Sequence, residues 1–392
     1  MKKTFKSIVN FIKSQAINIR YDSKQNITWW ADNLGAYPFN EVGEQQLLSD
    51  AFGGNPFVFM VVNRIAKTTA TLEREFIDKT TGEAVEVPQE LRDLLSKPNE
   101  IDTEESFLYR IYTNFLTTGQ SFTIGKAPIG FTQYRNLCVP VPSNVQIIQD
   151  RFGFPLEYQY NFFNYSGVSS KEDVLHNMTP DIRSDSLRGF STLQPMAKTW
   201  QSNNKIWESE AYFHDNKGIS GVLYGDGNKT LTPKEQQALQ NQYNTKHTGA
   251  KNFGGVMVNT TKLGFLQMGV NPADLKSIEA RIDHLRAICA AFNVDSKLFG
   301  DPASSTYNNM QEATVAMILN AVLPLAKKID DEISSWLIQD NFGLKNVVWR
   351  VNKKKISELN RPNTVLSDKI VSEVNAGIIT TEEAKTILYP EL

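Results

Sequence analysis

The chain has 392 residues, is 41% hydrophobic and 21% charged, and carries a net charge of -2. That length allows a sizeable core shared among two or three domains, and the near-neutral balance excludes a strongly basic, static duplex binder. Cys138 and Cys289 lie far apart, so no disulfide framework is expected and a reducing compartment fits. No apolar stretch is long enough to span a bilayer.

Residues 1–50 read as an N-terminal arm with a basic start. Lys2, Lys3, Lys6, Lys13 and Arg20 precede any acid, and Phe5, Ile8, Val9, Phe11 and Ile12 lend an amphipathic cast. Lys6 and Lys13 interrupt any apolar core, so a secretory signal is not expected. A frayed basic helix and a contact with nucleic acid or a partner both remain open. Pro56 is well placed in the first turn of a helix running through Ala70. A short strand at Arg74–Asp78, a turn at Thr80–Gly82 and a short helix over 88–97 follow. Thr103 begins the next helix, in which Phe107, Leu108, Ile111, Tyr112, Phe115 and Leu116 recur at helical spacing until Gly119 stops it.

From Ser121 to Tyr165 the pattern changes to short strands, with a hairpin turn at Gly153-Phe154-Pro155. A loop follows His176, and then a helix over about 192–216. Residues 218–270 read as a small α/β excursion between two long helices, with Thr232-Pro233 opening its own helix. The second long helix spans about Ala273–Phe292. A polar loop, Asp295–Asn309, leads to a long apolar-periodic helix with Pro324 inside it, which should kink it. The closing section has a strand around Val347–Val351, a link near Pro362, and two short helices over 364–376 and 381–388.

Little in this order resembles catalytic equipment. His176, His214, His247 and His284 show no metal-ligand spacing. The stretch from Gly119 to Ala127 fails as a phosphate loop: five residues separate its glycines, Ala127 stands where a hydroxyl would bind magnesium, and the flanking order is reversed. Asp330, Asp331 and Glu332 sit together on a helix. A solvated face or salt bridges between subunits explains them better than two-metal catalysis, although a nuclease or nucleotidyl transferase using scattered acids is the enzyme reading to test. No cofactor and no metal are expected.

Several short patterns follow one another along the chain: I-A-K-T-T-A-T-L before L-L-S-K-P-N, the G-Q-S-F step, V-P-V-P-S-N-V, and R-G-F-S-T-L-Q-P from Arg188 to Pro195. The runs A-Y-F-H-D-N-K-G-I-S-G-V-L and I-C-A-A-F-N-V-D-S-K-L-F-G before S-T-Y-N-N continue the set, which ends with N-A-G-I-I-T-T-E-E-A. Together, in this order, they resemble one family, the portal proteins of tailed bacteriophages of the siphovirus-like type. The resemblance covers about Pro56 to Tyr389. It implies an α+β subunit of a homo-oligomeric ring, usually a dodecamer, at one capsid vertex of a virion assembled in the host cytoplasm. It implies double-stranded DNA as the passing cargo, and contacts with the terminase large subunit, a head-completion adaptor, the major capsid protein and a scaffold protein. It implies no catalysis and no membrane.

By the same resemblance, 51–190 and the return strand in 341–362 correspond to a wing. Residues 191–217 and 271–294 correspond to stem helices and 218–270 to a clip. Residues 295–309 correspond to a tunnel loop, 308–340 to a kinked tunnel helix and 363–392 to short crown helices. Lys297, Ser304, Ser305, Thr306, Tyr307, Asn308 and Asn309 would then meet the phosphates, with neutral hydroxyls and amides that touch without fixing register. Another virion connector or tail-tube protein is the alternative of the same general kind.

Overall fold

A computed structural model describes residues 42–184, 186–216, 221–225, 232–247, 263–267, 277–302, 307–359 and 372–388. A short helical segment, Glu44–Gln46, widens into a π-type turn over Leu47–Phe52. Helix α1 (Pro56–Ala70) starts where Pro56 needs no amide donor, and the Asn55 side chain accepts from the amides of Phe57 and Val58. Strand β1 (Arg74–Asp78), helix α2 (Gln89–Ser96) and helix α3 (Glu104–Thr118) follow. Thr103 and Ser106 form a reciprocal capping box on α3.

Gly119 ends α3 at φ 78°, and a Cβ there would lie 2.3 Å from the Phe190 carbonyl carbon. Glycine is therefore required twice over, for its backbone angle and for the close approach. The chain leaves Gly119 directly into strand β2 (Gln120–Lys126), the centre of an antiparallel sheet with β3 (Asn136–Cys138) on one side and β7 (Val174–Met178) on the other. Strands β4 (Val145–Gln149), β5 (Pro155–Phe162) and β6 (Tyr165–Ser170) make a second antiparallel sheet. Along β5 the alternation of Tyr158 and Tyr160 inward with Glu157, Gln159 and Asn161 outward buries one face against Phe122, Ile124 and Val174.

The sequence reading missed β6 and β7. The run Tyr-Ser-Gly-Val-Ser-Ser of β6 has no apolar alternation, and β7 is a five-residue stretch that runs straight into the loop after His176. Both exist because their neighbours offer unpaired edges, which no local pattern records.

Helix α4 (Ala197–Asn216) runs towards β8 (Gly221–Gly225) and helix α5 (Pro233–His247), and β9 (Leu263–Gln267) pairs antiparallel with β8. The run Gly255–Asn259, whose Val256 and Val258 read as a further strand of the excursion, lies outside the described residues. Helix α6 (Ser277–Ala291) packs along α4, where the Arg281 guanidinium sits 4.3 Å from the Trp207 ring centre and 3.1 Å from Glu210. Helices α7 (Tyr307–Met317) and α8 (Leu323–Ile333) follow, and β10 (Val347–Val351) returns to pair with β1 in the register Phe76 with Trp349. A last helix, α9, covers Thr381–Leu388; the rest of the expected helix at 364–376 is described only from residue 372.

One continuous apolar cluster joins α1, α2, α3, α6, α7 and α8 with Leu193 and Trp200. Cys289 lies within it, as a small buried hydrophobe. Among the described residues no helix is long and apolar enough to cross a membrane.

Candidate functional site

The segment between α6 and α7 is in two parts. After α6, Asn293 takes a left-handed turn at φ 56° and Val294 is buried. Asp295 then caps a single turn of 3-10 helix, Ser296–Phe299, by accepting from the Lys297 amide, and Gly300 closes that turn at φ 87°. Asp301 is almost wholly buried and receives two bonds from Arg286 of α6, at 2.7 and 2.9 Å, and one from the Ser296 hydroxyl at 2.8 Å. A forked guanidinium on a carboxylate is a rigid, directional clamp. The first half of the expected polar loop is therefore an anchored foot, with Leu298 and Phe299 packed on the core.

Lys297 stands on this foot with its ammonium 3.5 Å from Asp295. Ser304, Ser305 and Thr306 lie outside the described residues. Tyr307, Asn308 and Asn309 are not loop residues; they form the first turn of α7. The apolar period resumes there, with Met310, Ala313 and Met317 at helical spacing. Arg286 and Asp301 were not singled out from sequence. Their pairing joins residues on different elements, and no spacing rule marks it.

Pro324 is exposed and lies in the first turn of α8, one residue after Leu323. Ahead of it the hydrogen-bond ladder slips into a π-type turn over Ile318–Val322, closed by the Leu323 amide on the Ile318 carbonyl. Proline has no amide to offer and its ring crowds the preceding turn, so the ladder changes register rather than running straight. A second π-type stretch, Ser334–Asn341, ends the helical run.

The acids of α8 correct the sequence reading. Asp330 is not on a solvated face: it is fully buried and paired with Arg74 of β1, whose Nε lies 3.0 and 3.2 Å from its two oxygens. The same guanidinium donates to Tyr112 Oη at 2.7 Å and to the Leu72 and Thr69 carbonyls, and lies over the Trp349 ring. Burial pushes the Asp330 carboxyl up to about 6, against the pull of Arg74. Asp331 pairs with Arg350 at 3.0 Å, and Glu332 accepts from the Asn177 amide. All three acids make contacts within the chain.

A second buried network surrounds His176. Its Nε2 lies 3.0 Å from Gln120 Oε1, which also accepts from the Gly189 amide, while the Gln120 amide donates to Glu44. The Gln120 oxygen can only accept, so His176 carries its proton on Nε2. Its ring stacks on Phe122 at 4.3 Å. Burial, and then the nearby Arg188 charge, hold the imidazole down to about 3, so it is neutral at physiological pH. Among the described residues no three His, Cys, Asp or Glu side chains gather where they could hold a metal.

This α+β arrangement, with paired long helices bracketing a strand-containing excursion and an anchored loop before a proline-interrupted helix, is that of a structural connector subunit. The chain belongs to the family described as phage portal protein, whose profile it matches over residues 56–388. That family is structural and non-enzymatic.

Two proteins described as uncharacterised, from Rickettsia bellii and Rickettsia felis, are similar to it. They are 26% and 24% identical, covering 73% and 86% of this chain and 75% and 87% of theirs. Among solved structures, the neck of a native gene transfer agent (GTA) particle computed with C12 symmetry is 23% identical at a TM-score of 0.62, covering 88% of this chain and 93% of that one. An HK97 family phage portal protein from Corynebacterium diphtheriae is 13% identical at a TM-score of 0.55, covering 78% and 95%. These structures establish the fold.

Proposed function

We propose that this chain is the subunit of a dodecameric ring at a single capsid vertex, through which double-stranded DNA is packaged and later ejected. The ring would also dock the terminase large subunit and then a head-completion adaptor. In this reading residues 51–190 with β10 are the wing, α4 and α6 the stem, 218–270 the clip facing the motor, 295–306 the tunnel loop, α7 and α8 the tunnel helix, and 363–392 the crown. The surrounding capsid and scaffold proteins meet the ring from outside.

The observation that carries this reading is the closed excursion. Helix α4 leaves the core, β8 and β9 pair with each other, and α6 returns alongside α4 into a loop foot locked by Arg286 and Asp301. The C12 symmetry of the similar particle neck supports the twelve-fold ring. The loop chemistry supports transit rather than capture. Each phosphate neutralised would add affinity and friction, and Lys297 already has Asp295 beside it.

Electron microscopy of the purified protein and of particles tests the proposal. Rings with a narrow stem, present at one vertex, are expected. Monomers at every concentration and in purified particles would refute it.

A further inference from the structure

A strand at the rim of a sheet presents a row of unpaired amides and carbonyls, and folded proteins cover or interrupt such rims. Outside the β8–β9 excursion the described residues form three sheets with six rims. Five are closed. On β1 the Phe76 carbonyl accepts from the Val85 amide, and the Asp78 amide donates to the Glu83 carbonyl. On β10 the Trp349 amide donates to the Ser334 hydroxyl, and Gln339 donates to the Val347 carbonyl. Pro98 and Asn99 bond both backbone groups of Leu137 on β3. Lys328 donates to the Met178 carbonyl on β7, and Arg188 to the Val145 carbonyl on β4, which also shifts register at Ile148 and Gln149.

The sixth rim, β6, is open. Phe162 and Tyr165 close a two-residue hairpin, and a closing pair of that kind exchanges its backbone bonds. The alternation then turns Gly167 and Ser169 towards β5, and turns the amides and carbonyls of Ser166 and Val168 outward. No described residue bonds to those outward groups. Tyr165–Ser170 holds no proline and no charge, Ser166 is exposed, and Val168 is 54% exposed. Nothing in this strand discourages a further strand from pairing with it.

A second observation points to the same rim. Tyr160 is buried, and its hydroxyl has no hydrogen-bond partner among the described residues. It reaches across Gly167: a Cβ there would lie 2.6 Å from the Tyr160 oxygen. A buried hydroxyl without a partner is unfavourable. Glycine at 167 leaves open the path from Tyr160 Oη to a side chain on a strand beyond β6. Tyr165, 60% exposed, stands on the same face of the sheet.

We propose that β6 is the docking edge for an extended, uncharged segment of a different polypeptide, which adds to the sheet as a fourth strand. Alternating amides and carbonyls along a rim are matched by another extended backbone. The residue opposite Gly167 carries a hydroxyl or carboxamide that partners Tyr160, and a neighbour on the same face sets an apolar group against Tyr165. A second copy of this chain does not fit. Two β6 rims can pair only about a twofold axis, which a single head-to-tail ring lacks, and the described residues outside the excursion offer no other open rim. That exclusion rests on the ring reading above.

Hydrogen–deuterium exchange over residues 165–170, measured on purified rings and on assembled particles, tests the edge. The Ser166 and Val168 amides should exchange as unpaired backbone in rings, and at least tenfold more slowly in particles, empty or filled. Protection already present in purified rings assigns the rim to a second copy and overturns the proposal. Exchange as fast in particles as in rings, or protection confined to DNA-filled particles, also overturns it. Val168→Pro removes an outward amide, a change that an edge strand tolerates. Rings should form at the wild-type concentration by mass photometry, while the yield of complete particles should fall at least tenfold. Val168→Lys puts a charge on the rim and should give the same loss, which covers a proline variant that fails to fold. A wild-type yield from either folded variant overturns the proposal. A wild-type chain that never forms rings overturns the ring reading instead, and the exchange difference between free chain and particle still decides the edge.

Discussion

Replacing Asp330 by Asn removes one charge and almost no volume. It leaves the Arg74 guanidinium, whose side chain is 0% exposed, bonded to two backbone carbonyls and a phenol and to no carboxylate. Breaking a buried pair from one side costs about 3–5 kcal/mol, because the remaining ion is stranded in a medium that solvates it poorly. With a urea dependence of about 3 kcal/mol/M, a loss of about 4 kcal/mol lowers the unfolding midpoint by about 1.3 M. Trp349, whose ring lies 5.2 Å from the guanidinium, reports the transition by fluorescence. Protein concentration must be fixed, since association stabilises. The double variant Arg74→Met with Asp330→Leu removes both charges and should lose less than Asp330→Asn alone, because no ion is stranded. Asp330→Asn within about 0.5 kcal/mol of wild type, or a double variant that merely adds the two single losses, would refute the argument.

His176 binds a proton more weakly folded than unfolded, at about 3 against an ordinary 6.5. Its stabilising effect is therefore complete above about 6.5 and is lost as pH falls towards 3, at about 1.4 kcal/mol per pH unit. His176→Phe keeps the stack on Phe122 and should flatten the stability–pH profile between pH 6.5 and 4; an unchanged slope contradicts the assignment. Gly119→Ala should cost more than about 2 kcal/mol in the same urea assay, because the left-handed backbone and the Phe190 carbonyl both reject a Cβ. Asn55→Ala removes the α1 cap and the bonds to the Trp200 carbonyl, Asn203 and Asn204, and should cost about 2–3 kcal/mol, with a loss below about 0.5 counting against it. Deleting Ser304–Asn309 should leave rings intact but shorten or destabilise the packaged genome; unchanged packaged length and infectivity would remove the tunnel-loop assignment.

The helices α1, α3 and α6 were legible along the chain because the signals that make them are local. Asn55-Pro56, Thr103 with Ser106, and the apolar spacing of Phe107, Leu108, Ile111 and Tyr112 act within a turn or two of helix. Gly119 as a stop, and Pro324 as an interruption, were legible for the same reason. The family resemblance was carried by an ordered set of such short patterns.

The tertiary structure decided what depends on distant partners. Strands β6 and β7 have weak patterns of their own and are strands because β5 and β2 present edges to them. Asp330 looked like one of three exposed acids; its burial follows from Arg74, 256 residues earlier, which the pairing of β1 with β10 brings beside α8. Half of the polar run after α6 became a fixed foot because Arg286 clamps Asp301. By itself the sequence determined where helices begin, end and break, because capping and backbone geometry are settled within a few residues. Which charges are buried, which strands pair and which polar residues are held still were settled only by the fold, because desolvation and sheet pairing are properties of neighbours that the chain order does not name.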